Sequence, residues 1–285
     1  MRKAIGTIVV AVIIAACADP GSGTTTTTSG SLPANETTST TQPLIDGCPA
    51  DEQFFESGLV TESDNTGSDS ATIGLISWRA EEACETFDIE FESAEGAPAT
   101  TPPSVTVRFL DEVGILRVST SASDTVITDQ IVETLLVQRL YVVRAIDGGT
   151  FIDFHLAGPA QARIELDNSP ARLTLELQPG ILEYGSSPTI TDRLVLISPV
   201  EDADVPLALN VSGYTRELES DLLLIATQGN EVVDEVSATT ASAAAVWGAF
   251  SGTLELVRGE QRLFVGTEDD ESGGFDGVSI DLQAG

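Results

Sequence analysis

The sequence predicts an all-β protein: two β-sandwich domains in tandem behind an N-terminal leader and a disordered Thr/Ser-rich linker. Three observations predict it. Apolar residues recur with period two in many short segments. Gly, Pro and Asp break these segments at frequent intervals. A Gly, Ser, Pro and Thr rich stretch, "GILEYGSSPTITD", divides the patterned part into two blocks near Gly180 to Asp192.

The leader comes first. Arg2 and Lys3 form a short positive start, and Ala4 to Ala16 is apolar apart from Gly6 and Thr7. Those 13 residues would make a helix of roughly 20 Å, too short for a hydrocarbon core of about 30 Å. The length fits the apolar region of a signal peptide. The segment ends in Ile14-Ala15-Ala16-Cys17, which resembles the bacterial lipobox. The resemblance implies that residues 1–17 are a lipoprotein signal whose Cys17 is acylated and becomes the mature N-terminus. Two acyl chains, at about 0.8 kcal/mol per buried CH₂, give stable anchoring. The alternative is an ordinary secretory signal with a cysteine at this place by chance.

Residues 18–70 are assigned to a disordered linker. Ala18 to Gly47 is dominated by Thr, Ser, Gly and Pro and has almost nothing to bury. Asp51 to Ser70 is acidic and weakly patterned, a stretch of loop with one short element. "NET" at Asn35 and "NVS" at Asn210 match glycosylation sequons, a reading that a bacterial lipobox disfavours.

The first β-domain is placed at 71–183. "SVTVRFL" puts Val105, Val107 and Phe109 on one face. "FIDFHL" sets Ile152, Phe154 and Leu156 against Phe151, Asp153 and His155, and "RLTLEL" turns Leu173, Leu175 and Leu177 inward. Only "DQIVETLLVQRL", Asp129 to Leu140, carries a helical spacing as well, through Ile131 with Leu135 and Val132 with Leu136. Its β-like neighbours favour strand or a mixed crossover. The second β-domain is placed at 190–285, where "PLALNV", "TLELV" and "VSIDL" alternate in the same way.

Charge limits the partners. The chain has 45 acidic and 13 basic residues. Loss of Arg2 and Lys3 with the leader leaves 11 arginines against those 45 acids, 34 net negative charges. Such a surface repels nucleic acid and cannot lie flat on anionic lipid, so the membrane is met through the lipid anchor alone. Beyond Cys17, two cysteines remain, Cys48 and Cys84. In an exported chain they are the candidate disulfide.

Two family resemblances add to this reading. Leu194 to Val233, with Ser198-Pro199, Val211-Ser212-Gly213 and Gly229-Asn230 in order, resembles the immunoglobulin-like domain of bacterial spore germination. "GAFSGTLEL" and "RLFVGTEDDESGGFDGVSIDL" continue the likeness to the end of the block. In the first block, "ETFDIEFE" (Glu85 to Glu92) and Gly148 to Leu177, with Ser169-Pro170-Ala171-Arg172-Leu173, resemble the AMIN-like domains of bacterial envelope proteins. Both resemblances imply all-β, non-catalytic modules that localise or bind within the cell envelope. AMIN domains imply a link to peptidoglycan and periplasmic targeting.

Residues that could carry chemistry are few. His155 is the only histidine, inside a strand, and no Gly-x-Ser-x-Gly elbow occurs. A zinc site needs several His or Cys ligands. Paired carboxylates for glycoside hydrolysis arise by chance among so many acids. No enzyme activity is expected. The loop "EDDESGGFDG" offers Asp269, Asp270 and Asp276 as candidate Ca²⁺ ligands. The alternative there is a solvated hairpin end that repels edge-to-edge pairing. Trp78 and Trp247 suit either sugar stacking or a core, and a core position is expected. No ligand-binding residue is identified. The expectation is an extracytoplasmic, membrane-anchored protein with no resident cofactor. It would bind peptidoglycan, glycan or another envelope protein by contact, or serve as an assembly accessory of sporulation, germination or division.

Overall fold

The computed structural model describes residues 48, 52–81, 84–216, 222–241, 246–269 and 274–285. The described residues form strands and turns and no helix, so the protein is all-β. In chain order the strands begin with β1 (Leu59–Ser63), β2 (Thr72–Ala80), β3 (Glu85–Glu92), β4 (Val105–Leu110), β5 (Ile115–Thr120), β6 (Asp124–Thr125) and β7 (Asp129–Ile131). The first block continues with β8 (Val137–Arg144), β9 (Thr150–Leu156), β10 (Ala160–Asp167) and β11 (Arg172–Pro179). The second block opens with β12 (Thr189–Ile190), β13 (Leu194–Ser198), β14 (Ala203–Val205), β15 (Ala208–Thr215) and β16 (Leu223–Gln228). It closes with β17 (Glu231–Ser237), β18 (Thr239–Thr240), β19 (Trp247–Glu255), β20 (Gly259–Asp269) and β21 (Gly274–Ala284).

One sheet runs through both blocks. Its path is β1-β4-β5-β9-β8-β19-β15-β13-β12, with β7 on β8 and β18 on β19. The two blocks meet where β8 and β19 pair in parallel, Val143 opposite Trp247 and Arg144 opposite Gly248. Each block adds a five-stranded sheet of its own, β10-β11-β3-β2-β6 in the first and β14-β21-β20-β16-β17 in the second.

Alternation decides which residues line each core. In β11, Leu173, Leu175 and Leu177 are buried while Arg172, Thr174 and Glu176 are partly exposed. These leucines pack with Phe87, Ile89 and Phe91 of β3 and, from the large sheet, Val107, Val118 and Phe154. Phe87 meets Phe154 edge-on, with centroids 5.1 Å apart, which ties the two sheets together. The second block has a separate core, with Leu196, Val211 and Phe250 from the large sheet against Leu224, Val265 and Ile280. Gly213 fits there because a Cβ would stand 2.1 Å from the carbonyl oxygen of Val195 on the paired strand.

The stretch from Asp129 to Leu140 resolves as two strands. β7 pairs with β8 through Gln130 opposite Leu140, and a turn with Glu133 at φ 52° joins them. Two linker assignments part company here. Residues 18–47 lie outside the described residues. Residues 52–70, at the end of the linker, hold the one short element expected there as β1 and pack on the first block instead of being disordered. β1 pairs with β4 and buries Val60, and the Asp69 carboxylate accepts the backbone N–H groups of Thr100 and Thr101. A short ladder, Val60 and Phe55 on the first core, and capped amides order a segment whose composition reads as coil. Between the blocks, residues 180–188 form an irregular connection. Tyr184 stacks on Phe109, and its hydroxyl accepts from the Ala160 N–H.

Cys48 and Cys84 are joined by a disulfide, with Cα atoms 5.1 Å apart. The bridge spans 36 residues of sequence. Closing a loop of that size restricts the unfolded chain, which corresponds to about 4 kcal/mol in the chain-entropy picture. Replacing both cysteines by serine should lower stability by roughly that amount, measured as the shift in urea midpoint times the slope.

Candidate functional site

The joint between the blocks carries a third core, built on the opposite face of the large sheet. Leu140 and Val142 of β8 enter the first core, so Tyr141 and Val143 project the other way. In β9, Ile152 and Phe154 face the first core, and Phe151, Asp153 and His155 face the joint. The second block supplies Val195, Ile197, Tyr214 and Trp247 to the same cluster. Tyr141, Tyr214 and Trp247 pack mutually with centroids 5.0 to 5.7 Å apart and are almost fully enclosed.

Strand register sets polar residues in rows across this face. Asp129, Tyr141, Asp153 and Arg117 lie abreast on β7, β8, β9 and β5. The next row is Ile131, Arg139, His155 and Ile115. In the first row, Arg117 grips Asp153 with two hydrogen bonds of 2.7 Å, and its guanidinium lies 4.0 Å from the centre of the Phe151 ring. The Asp153 side chain is 0% exposed, so this carboxylate depends on the arginine. From the second block, Arg216 pairs with Asp129 and covers the Trp247 ring. Tyr214 reaches His155, with its hydroxyl 2.5 Å from Nε2. Burial pushes the Tyr214 phenol well above its ordinary value.

Burial also pulls the His155 imidazole down from 6.5 to about 4. The unfolded chain takes up this proton near pH 6.5, whereas the folded protein holds the ring neutral to about pH 4. Protons therefore favour unfolding across that window. This contribution to stability is complete above pH 6.5 and is lost as the pH falls toward 4, up to about 3 kcal/mol. Denaturant titrations at pH 7 and pH 4.5 should show it. The difference between wild type and His155→Gln should shrink on acidification, because glutamine takes up no proton.

A hollow of about 290 Å³ opens at the end of the second row, lined by Ile131, Glu133, Gln138, Arg139, His155 and Ile190. The Arg139 guanidinium donates to the Tyr141 hydroxyl at 3.0 Å. Among the described residues no carboxylate forms an ion pair with it. A larger groove of about 590 Å³ runs between the blocks, from Arg108–Val113 to Ile197–Asn210, and is mostly apolar.

The residues singled out from the sequence scatter. Cys17 lies outside the described residues, as does Asp270. Asp269 ends β20, and Asp276 is exposed on β21 opposite Thr267. Among the described residues no group of three His, Cys, Asp or Glu side chains is placed to hold a metal. Trp78 is half-buried and stacks on Phe87 at the edge of the first core, and Trp247 is buried at the joint. His155, noted for being alone, sits where the two blocks meet.

Sequence alternation set Phe151, Asp153 and His155 on the face away from Ile152, Phe154 and Leu156 but gave no sign that a second core covers that face. The available signal was the unbroken apolar run Leu140 to Val143 on β8, matched by Leu194 to Ile197 on β13. Such runs mark strands buried on both faces. No family model, no curated protein and no solved structure matches this chain.

Proposed function

We propose that the chain is a non-catalytic surface lipoprotein, held outside the cytoplasm by an acylated Cys17, that works by contact. Its two blocks are read as tandem β-sandwich modules, the first AMIN-like over 71–183 and the second a spore-germination immunoglobulin-like domain over 190–285. They would bind peptidoglycan or glycan, or an envelope protein. The observation that carries this reading is the short apolar leader ending in Ile14-Ala15-Ala16-Cys17. The Cys48–Cys84 bridge supports it, since disulfides persist in oxidising compartments. The two separate cores, each drawn from one stretch of chain, support the modular reading. The strongly acidic balance favours recognition through a defined surface over nonspecific attraction to polyanions.

Cys17→Ala should move the protein from the membrane fraction to the soluble fraction. Retention in the membrane would contradict the anchor. Pelleting with purified peptidoglycan sacculi then tests the partner: co-sedimentation supports the wall-binding arm, and its absence favours a protein partner.

A further inference from the structure

We propose that the hollow at the end of the junction binds a small carboxylate carrying an apolar group, such as the C-terminal end of a peptide. The proposal deepens the contact reading above by giving it a pocket. Three observations carry it.

The first is His155. Its ring is buried, with Nε2 engaged by the Tyr214 hydroxyl. Nδ1 has no hydrogen-bond partner among the described residues, yet it is not one of the fully enclosed unpaired polar atoms. As His155 lines the hollow, that nitrogen is the ring atom left to meet a ligand there. With Tyr214 O–H donating to Nε2, the neutral ring carries its proton on Nδ1 and can donate it to a ligand oxygen. The second is Arg139. It stands beside His155 in the same cross-strand row, and among the described residues only the Tyr141 hydroxyl accepts from it. In a chain with 45 acids and 13 basic residues, an arginine that faces a hollow and has no ion-pair partner among the described residues is a donor held in reserve. The third is the rim, where Ile131 and Ile190 are 60% and 42% exposed. Their side chains give an apolar group on the ligand something to cover.

The charges nearby select among anions. Glu133 lines the hollow, and Asp129 and Asp192 act on Arg139 from beyond ion-pair distance. This acidic surround penalises a dianion more than a single carboxylate, so phosphate is disfavoured. The volume, roughly that of ten waters at about 30 Å³ each, suits a fragment of one or two residues.

His155, the only histidine in the chain, provides the readout. The full chain carrying Cys17→Ala, made without a histidine tag, is titrated with N-acetylalanine while the imidazole proton resonances are followed by NMR. A saturable shift with Kd on the order of 1 mM is expected, and N-acetylalanine methylamide and inorganic phosphate should give none. Arg139→Gln should weaken binding at least about tenfold. Ile131→Asp, on the exposed rim, should weaken it too and is the safer variant for folding. The proposal is overturned by the absence of a saturable shift up to about 50 mM, by equal binding of the methylamide, or by unchanged affinity in both variants. Sacculus pelleting can fail while this titration succeeds, and the reverse, so the two readings are judged separately.

Discussion

Asp153→Ala should destabilise the protein by about 3 kcal/mol or more, because it strands the Arg117 guanidinium in the joint. The pair is bidentate at 2.7 Å, and the Asp153 side chain is wholly buried. Arg117 retains 24% exposure, so water can reach part of the uncompensated charge. That places the cost toward the lower end of the range for broken buried pairs, which is about 3–5 kcal/mol. Asp153→Asn should cost nearly as much, since it keeps the shape and removes the charge. Replacing both partners, Arg117→Met with Asp153→Leu, should restore most of the loss. Urea unfolding of wild type, Arg117→Met, Asp153→Leu and the double variant gives the cycle. A loss below about 1 kcal/mol in Asp153→Ala would mean that the pair is solvated and the joint is looser than described.

Trp247→Ala should cost about 3–5 kcal/mol, the usual range for emptying a buried aromatic site. Trp247 is 1% exposed and packs edge-on against both Tyr141 and Tyr214. It also carries the Arg216 guanidinium on its face at 5.0 Å and sits opposite Val143 in the ladder joining the blocks. Trp247→Phe should lose only about 1–2 kcal/mol, because the indole Nε1 makes no hydrogen bond in the described structure. A larger loss in the phenylalanine variant than in the alanine variant would show that shape at this site does not matter in the way proposed.

Much of the architecture was legible in the alternation of single strands. β3, β4 and β11 each bury one face and wet the other, so "ETFDIEFE", "VTVRFL" and "RLTLEL" declare their inward residues. The joint was not legible in the same way. β9 is buried on both faces, yet "FIDFHL" alternates as a half-exposed strand does, because its second face holds Asp153 and His155. Burial of those two depends on partners far away in sequence, Arg117 and Tyr214, which no local pattern announces. The helical spacing over Asp129 to Leu140 misleads for a related reason. Leu135 is 66% exposed on a turn, and so the Ile131–Leu135 pair never forms a buried stripe. The end of the linker reads mostly as coil because composition averages over residues, while order there comes from the β1–β4 ladder, Val60 and Phe55 on the first core, and the amides capped by Asp69.

All of these residues bear on one claim, that the blocks are welded into a single body by the shared sheet and the aromatic core where β8 meets β19. Scanning calorimetry on the protein at pH 7 tests it most directly. The account predicts one transition with calorimetric and van't Hoff enthalpies in a ratio close to one. Two resolved transitions in the unmodified protein, each matching one block, would contradict it.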